Sequence, residues 1–197
     1  MSWLEEWQEE SEVRLFLGSL DRLPQNYELD SSQPKARRRE KEALNQFLKM
    51  EYPNSEIIKD QHGKPHFKNK QPHINYSHSQ SHFLWGEHAE FPIGVDVEIE
   101  RPQLLKVAHK FCNDVELEYT FNGTNSPLLL AIWSAKESMF KAFGTGAVDF
   151  KEHMQIEPFE LSDKGSLQAT FRIPETRRLT IFYRRFNTSI CTWTLWR

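Results

Sequence analysis

Residues 93–100 read IGVDVEIE, and their strict alternation constrains the chain more than any other feature. Successive side chains of a strand point to opposite faces. Val95, Val97 and Ile99 therefore share one face, and Asp96, Glu98 and Glu100 the other. The apolar face is wholly β-branched, and Gly94 stands just ahead of the acids. That pattern predicts a central strand, where acids need a reason. Asp96 and Glu98 lie roughly 6.6 Å apart along the chain at ~3.3 Å per residue. Together they offer oxygen ligands to a hard cation such as Mg²⁺. The competing reading is a strand face turned to water, where acids are common.

Residues 127–143, PLLLAIWSAKESMFKAF, predict a helix with Pro127 in its first turn and Gly144 as its stop. Glu137 and Lys141 are four apart and share a face, with Trp133 one turn earlier. On a solvated helix such a pair is worth about 0.3–0.5 kcal/mol. This helix, however, carries Leu128, Leu129, Leu130, Ile132, Met139, Phe140 and Phe143 on several sides, which predicts burial. Lys136, Glu137 and Lys141 are costly there unless charge from elsewhere pairs with them. A metal at Glu137 and a phosphate at Lys141 would supply it.

The other elements mix helix and strand without a regular βαβ period, which predicts an α+β fold. Residues 4–20 read as a strand or loop entry followed by a short helix, and 21–34 as a loop. Ser32, Gln33 and Pro34 open a helix over 35–50 with an apolar stripe of Ala43, Leu44, Phe47 and Leu48. Residues 61–75 are turn-rich and basic, and 74–79 and 82–86 read as short strands. A short amphipathic helix follows over 104–111, and a further turn or two over 114–121. Strands are predicted over 167–173, 179–186 and 189–196, the last two forming a hairpin around Asn187 and Thr188.

Composition excludes several classes. With 197 residues there is room for one domain or two small lobes. A net charge of -3 argues against a globally basic nucleic-acid binder, and 13% aromatic residues argue against disorder. No run approaches the ~20 apolar residues of a membrane span. The N-terminus carries five glutamates ahead of Arg14 and no apolar signal core. The two cysteines, Cys112 and Cys191, make no disulfide framework. These features predict a cytoplasmic, reduced protein. Glycines number only 8, and neither GxGxxG nor GxxxxGK[ST] occurs, so any nucleotide is held by other means.

Three weaker constellations remain. Ser77 and His78 are adjacent on a strand and so point apart, a poor nucleophile and base pair. With Asn75 and Ser79 they suit hydrogen bonds to a phosphate or form a plain polar turn. His62 with His66 and His78 with His82 have i,i+4 spacing, but they fall in loop or strand segments and HExxH is absent, so zinc is not expected. Lys35, Arg37, Arg38, Arg39 and Lys41 form a basic run that suits nucleic acid, a phosphate or a solvated helix face.

Taken together, the motifs resemble the 4′-phosphopantetheinyl transferase superfamily. Its signature is a (I/V)G(I/V)D(I/V)E strand and then a W(S/T)xKE(A/S)xxKAxGxG helix. Here IGVDVE stands at 93–98; Trp133, Ser134, Lys136, Glu137, Lys141, Ala142, Gly144 and Gly146 supply the second motif. The family's earlier GKPxF and (F/I)N(F/Y)SHS segments are matched at 63–67 and 74–79. The three motifs stand in order over 63–146.

The resemblance implies two similar α/β lobes in one chain, 1–101 and 102–197, related by a pseudo-twofold with the site in the cleft between them. The length resembles the surfactin-synthetase-activating type, a monomeric pseudo-dimer. Asp96, Glu98 and Glu137 are then expected to hold Mg²⁺ against the pyrophosphate of coenzyme A. Lys141 and His78 contact phosphates with Ser77 beside them, Lys64 lies near the nucleotide, and Lys136 joins the cofactor set. Arg37, Arg38 or Lys41 grips the 3′-phosphate, although Asn45 and Gln46 stand where many relatives have an arginine. The implied partner is an apo acyl or peptidyl carrier protein whose serine takes the phosphopantetheine arm, with 3′,5′-adenosine bisphosphate leaving. Glu116, its rival Glu118 or a metal-held water accepts the serine proton. Fatty acid, polyketide and nonribosomal peptide carriers all remain open. Two other classes compete: a non-catalytic coenzyme A-binding module, and a nucleic-acid-binding domain built on 35–41 and 177–185. Neither nucleic acid nor membrane is expected as a partner.

Overall fold

A computed structural model describes residues 3–9, 12–23 and 35–197, without the side chains of 35–37. The opening segment is a hairpin of β1 (Leu4–Glu9) and β2 (Val13–Ser19), followed by a 3-10 turn at Leu20–Arg22. The helix expected in its second half is a strand instead. Leu15 and Phe16 are both buried because β2 is covered on both faces. Phe16 packs against Phe47 of α1 (Lys35–Glu51), and Leu15 against the second sheet. A run of consecutive apolar residues carries no period of two.

The first sheet has the order β1-β2-β6-β5, with β5 at His73–His78 and β6 at His82–His88. The small hairpin of β3 (Ile57–Lys59) and β4 (Pro65–Phe67) escaped the sequence reading, since three residues are too few to show alternation. The second sheet is β7-β11-β10-β9-β8. Its strands are β7 (Ile93–Ile99), β8 (Met154–Ile156), β9 (Lys164–Phe171), β10 (Arg177–Phe186) and β11 (Ser189–Leu195). The expected final hairpin is present, turning at Asn187 with a φ of 53°. Helices α2 (Gln103–Phe111), α3 (Asp114–Tyr119), α4 (Ser126–Phe143) and α5 (Phe150–His153) lie between β7 and β8. Of the expected loop over 21–34, residues 21 and 22 belong to the 3-10 turn, and 24–34, with the helix-opening Ser32, Gln33 and Pro34, lie outside the described residues.

Both sheets share one connection. A strand leads to a long helix, and a later hairpin returns so that its second strand pairs with that first strand. This describes β2, α1, β5 and β6, and again β7, α4, β10 and β11. Val13, Leu15 and Leu84 meet Ile93, Val95, Val97 and Trp193 between the sheets. Helix α1 covers the far face of the first sheet, and α4 with α2 the far face of the second.

Strand β7 departs from expectation in one respect. It is central among the layers but stands at the edge of its sheet. Side chains of β5 cover its open edge. The Val95 amide donates to Asn75 Oδ1 at 3.2 Å, and Ser77 reaches Asp96. An exposed strand edge invites foreign pairing, and this cover removes the opportunity.

The acid-bearing face of β7 lies against α4. Asn125 caps that helix by accepting the Leu128 amide, Pro127 sits in its first turn, and Gly144 ends it with a φ of 76°. Thr192, opposite Asp96 on β11, donates to the Ser134 carbonyl at 2.8 Å. The contact is closest at Gly94. A Cβ there would stand 1.9 Å from the Ser138 carbonyl oxygen and 2.4 Å from the Ala142 nitrogen. Both are backbone atoms and cannot swing away. Gly94→Ala should therefore cost about 1–3 kcal/mol or more, measured by urea denaturation; a loss below about 0.5 kcal/mol would show that the helix has room to retreat.

Candidate functional site

Asp96, Glu98, Glu137, Lys141, Ser77 and Trp133 converge where β7 meets α4 and β5. Lys141 donates to Asp96 Oδ1 at 2.7 Å and to Ser77 Oγ at 2.9 Å, and Ser77 donates to the same carboxylate oxygen at 2.8 Å. Asp96 Oδ2 is buried without a hydrogen-bond partner. Trp133 Nε1 donates to Glu98 Oε1 at 2.8 Å, and Arg101 bridges both Glu98 oxygens at 2.9 and 2.8 Å. Among the described residues Glu137 has no hydrogen-bonding or ion-pairing partner. Orphaned buried polar atoms are uncommon and mark a place for a missing partner.

The electrostatics agree. Burial pushes the Glu137 carboxyl up to about 7, and the charges of Asp96 and Glu98 add to the rise while Lys141 opposes it. Burial, then Asp96, raises Glu98 as well, against the Trp133 hydrogen bond and the charges of Arg101 and Lys141. The cluster thus holds more negative charge than its own cations neutralise. No three His, Cys, Asp or Glu side chains among the described residues stand gathered as a finished metal cage. Lys141 and Arg101 hold two of the carboxylates instead.

A cleft of about 270 Å³ opens beside this cluster, lined by Lys141, Phe140, Gly144, Thr145 and Gly146 from the end of α4 and the turn beyond it. Lys59, His62, Lys64 and Pro65 line it from the β3–β4 hairpin, and Asn75 and Tyr76 from β5. Asp60 shapes the hairpin turn by accepting the amides of His62 and Lys64 at 2.8 and 2.9 Å. Lys64 lies against Gly144 and donates to the Ala142 carbonyl at 2.6 Å; burial lowers its ammonium to about 8. Glu40, the acid lining the cleft, stands 3.5 Å from His78. A pocket with three lysines and an aromatic wall suits an anion attached to a flat ring.

Not every expected residue gathers here. Lys136 and Glu116 form a pair sealed from solvent, each with 0% exposure. The Lys136 ammonium meets Glu116 Oε2 at 2.6 Å and the carbonyls of Phe111, Phe150 and Met154 at 2.7–3.0 Å. Glu116 also accepts the amides of Asn113 and Ile156, both at 2.8 Å. Burial pushes the acid up and the ammonium down, while their attraction opposes both shifts. Complete hydrogen bonding favours the ionised pair. Lys136 is therefore not placed to touch a ligand, and Glu116 is not placed to take a proton from one.

Arg38 and Lys41 do not line the cleft: Arg38 Nε is buried without a partner, and Lys41 is exposed. The Arg37 side chain lies outside the described residues. Lys59 lines the cleft and Arg101 meets Glu98 without having been singled out in the sequence, and His62, weighed there only as a zinc ligand, also lines the cleft. The basic character of 61–75 was the available signal for His62.

Residues 92–191 match the family described as the 4′-phosphopantetheinyl transferase superfamily. A protein of Synechocystis sp., named "Putative 4′-phosphopantetheinyl transferase", is 35% identical over 92 residues, covering 43% of this chain and 37% of that protein. The match thus spans little more than a third of that relative's length. Among the described residues, no helix is long and apolar enough to cross a membrane.

Two predictions follow from this geometry. Between pH 4.5, the ordinary glutamate value, and about 7, the folded state binds the Glu137 proton more tightly than the unfolded state does. Stability in metal-free buffer therefore falls as pH rises through that window. The Tm of the wild type should drop more than that of Glu137→Gln between pH 5 and 7.5; parallel profiles would contradict the raised carboxyl. Lys136→Met should cost about 3–5 kcal/mol by stranding Glu116, and Lys136→Met with Glu116→Leu should recover part of it. An undiminished single variant in thermal unfolding would exclude the sealed ion pair.

Proposed function

Because the chain belongs to the 4′-phosphopantetheinyl transferase superfamily, we propose that it transfers the 4′-phosphopantetheine arm of coenzyme A to a serine of an apo acyl or peptidyl carrier protein. The observation that carries this reading is the Asp96, Glu98 and Glu137 cluster beside a lysine-lined cleft. The donor set is all hard oxygen, one buried oxygen is orphaned and one carboxylate has no partner. That chemistry fits Mg²⁺, which prefers oxygen ligands and shares its shell with phosphates. Asp96, Glu98 and Glu137 would hold it. When bound, it neutralises charge on the pyrophosphate.

The chain's own residues do the remaining work. Lys141, whose ammonium stands at Asp96 and Ser77, would offer a hydrogen bond to a pyrophosphate oxygen and stabilise developing charge there. Ser77, already a donor at this point, and His78 supply hydrogen bonds to phosphate. Lys64 and Lys59 hold the nucleotide side of coenzyme A in the cleft. The carrier serine oxygen attacks the β-phosphorus, the bond to the α-phosphate bridging oxygen breaks, and 3′,5′-adenosine bisphosphate departs. Glu116 is not assigned as the base, given its pairing with Lys136; the serine proton passes to a water molecule instead. The repeated strand–helix–hairpin connection supports a monomeric pseudo-dimer with the site between its halves. We propose the halves to be 1–101 and 102–197, joined where β7 of the first pairs with β11 of the second. A cytoplasmic location accords with a coenzyme A substrate.

The test is incubation with an apo carrier, coenzyme A and Mg²⁺, read by the mass of the carrier. Phosphopantetheine mass on the serine is expected. Asp96→Ala and Glu137→Ala should lose at least about 10²-fold in kcat while staying folded. Coenzyme A binding without transfer to fatty acid, polyketide or peptide carriers would instead identify a binding module.

A further inference from the structure

Arg101 holds Glu98 in an unusual manner. One terminal nitrogen, Nη2, lies 2.9 Å from Oε1 and 2.8 Å from Oε2. It sits astride the carboxylate, where a cation bound by both oxygens would sit. The usual arginine fork, two nitrogens on two oxygens, is not formed. Alternation along an extended strand would send residues 98 and 101 to opposite faces. The chain, however, leaves β7 after Ile99: the Glu100 amide donates to the Thr188 carbonyl, and the Arg101 carbonyl accepts the Leu104 amide at 3.0 Å. Pro102 then leads into α2. This turn returns Arg101 to Glu98.

Trp133 already donates to Glu98 Oε1 from the α4 side. With the indole on one flank and the guanidinium across the opening, both Glu98 oxygens are engaged. A divalent cation that takes Glu98 at both oxygens must displace Nη2. The two cations on the cluster differ in how firmly they are held. Lys141 is 23% exposed and anchored to Ser77 as well as Asp96, whereas Arg101 is 48% exposed and, among the described residues, its side chain is held by Glu98 alone. A half-exposed pair gains little and is released at little cost. Beside it lies a pocket of about 380 Å³ lined by Arg101, Gln80, Gln103, Leu104, Val107 and Trp133. The amide oxygens of Gln80 and Gln103 can receive the released guanidinium there.

We infer that Arg101 is an internal competitor for the divalent cation at Glu98: it closes the metal-free carboxylate and swings into the neighbouring pocket when a metal arrives. The inference rests on the reading of Asp96, Glu98 and Glu137 as metal ligands. It makes Arg101 a positioning residue that sets metal affinity without touching coenzyme A.

The test titrates the full-length protein with Mn²⁺ and follows free Mn²⁺ by electron paramagnetic resonance, so no turnover is needed. Circular dichroism confirms that each variant is folded. Arg101→Gln should bind Mn²⁺ about threefold to tenfold tighter than the wild type, the range that release of an exposed ion pair allows. Lys106→Gln removes an exposed positive charge of α2 that makes no contact with Glu98 and should change affinity by less than half that factor. The gain should vanish in Arg101→Gln with Glu98→Gln. Unchanged affinity in Arg101→Gln, with Glu98→Gln weakened, overturns the competitor and leaves the metal site standing. An equal gain in Lys106→Gln also overturns it, since charge at a distance would then explain the effect. Affinity unaffected by Glu98→Gln, or no binding in any variant, overturns the metal reading and the competitor with it.

Discussion

Helix α4 rests on β7 with backbone against backbone at Gly94, and the rest of the site depends on that contact. Any side chain at this position would push the helix away by the width of a methyl group, because it meets a carbonyl oxygen and an amide nitrogen. With the helix seated, Lys141 reaches Asp96 and Trp133 reaches Glu98. The helix lies antiparallel to the strand, so its C-terminal end faces Gly94 and its middle faces Glu98. Glu137 falls between these two contacts and comes within the field of both carboxylates. Shape thus comes before charge here: a small residue fixes the distance at which the acids and the lysine interact.

The same helix carries two kinds of buried charge with opposite fates. Lys136 and Glu137 are adjacent, and adjacent helical residues diverge by about 100° around the axis. Lys136 turns into the interior and finds an acid and three carbonyls. Glu137 turns towards β7 and meets the like charge of Asp96 and Glu98. The first arrangement is complete and locks α4 to α3, α5 and β8. The second is incomplete, which is the condition that lets a ligand contribute. A folded protein keeps such a site only when the surrounding packing is strong enough to hold it. Here the packing comes from the apolar layer between the two sheets and the layer beneath α4.

Much of this was legible in the sequence, and the omissions have physical causes. The alternation at 93–100 and the capped helix over 127–143 gave both halves of the cluster, since each rests on local periodicity. The strand β2 was missed because burial on both faces erased its alternation. Strand β7 was read as central although it is a sheet edge, since Asn75 and Ser77 cover it through a contact that spans about twenty residues of sequence. The sealed Lys136 and Glu116 pair was read as chemistry. Helical spacing tells which residues share a face but not what lies over that face. Lys59 entered the cleft through a three-residue strand too short to announce itself.

The central proposal is that Asp96, Glu98 and Glu137 form a seat for a metal shared with the pyrophosphate of coenzyme A. Crystals grown with Mn²⁺ and coenzyme A, with data collected for the manganese anomalous signal, address it most directly. The account predicts a single strong peak among these three carboxylates, with Lys141 turned from Asp96 to a phosphate oxygen. A peak elsewhere, or an intact Lys141–Asp96 pair beneath bound coenzyme A, would contradict it.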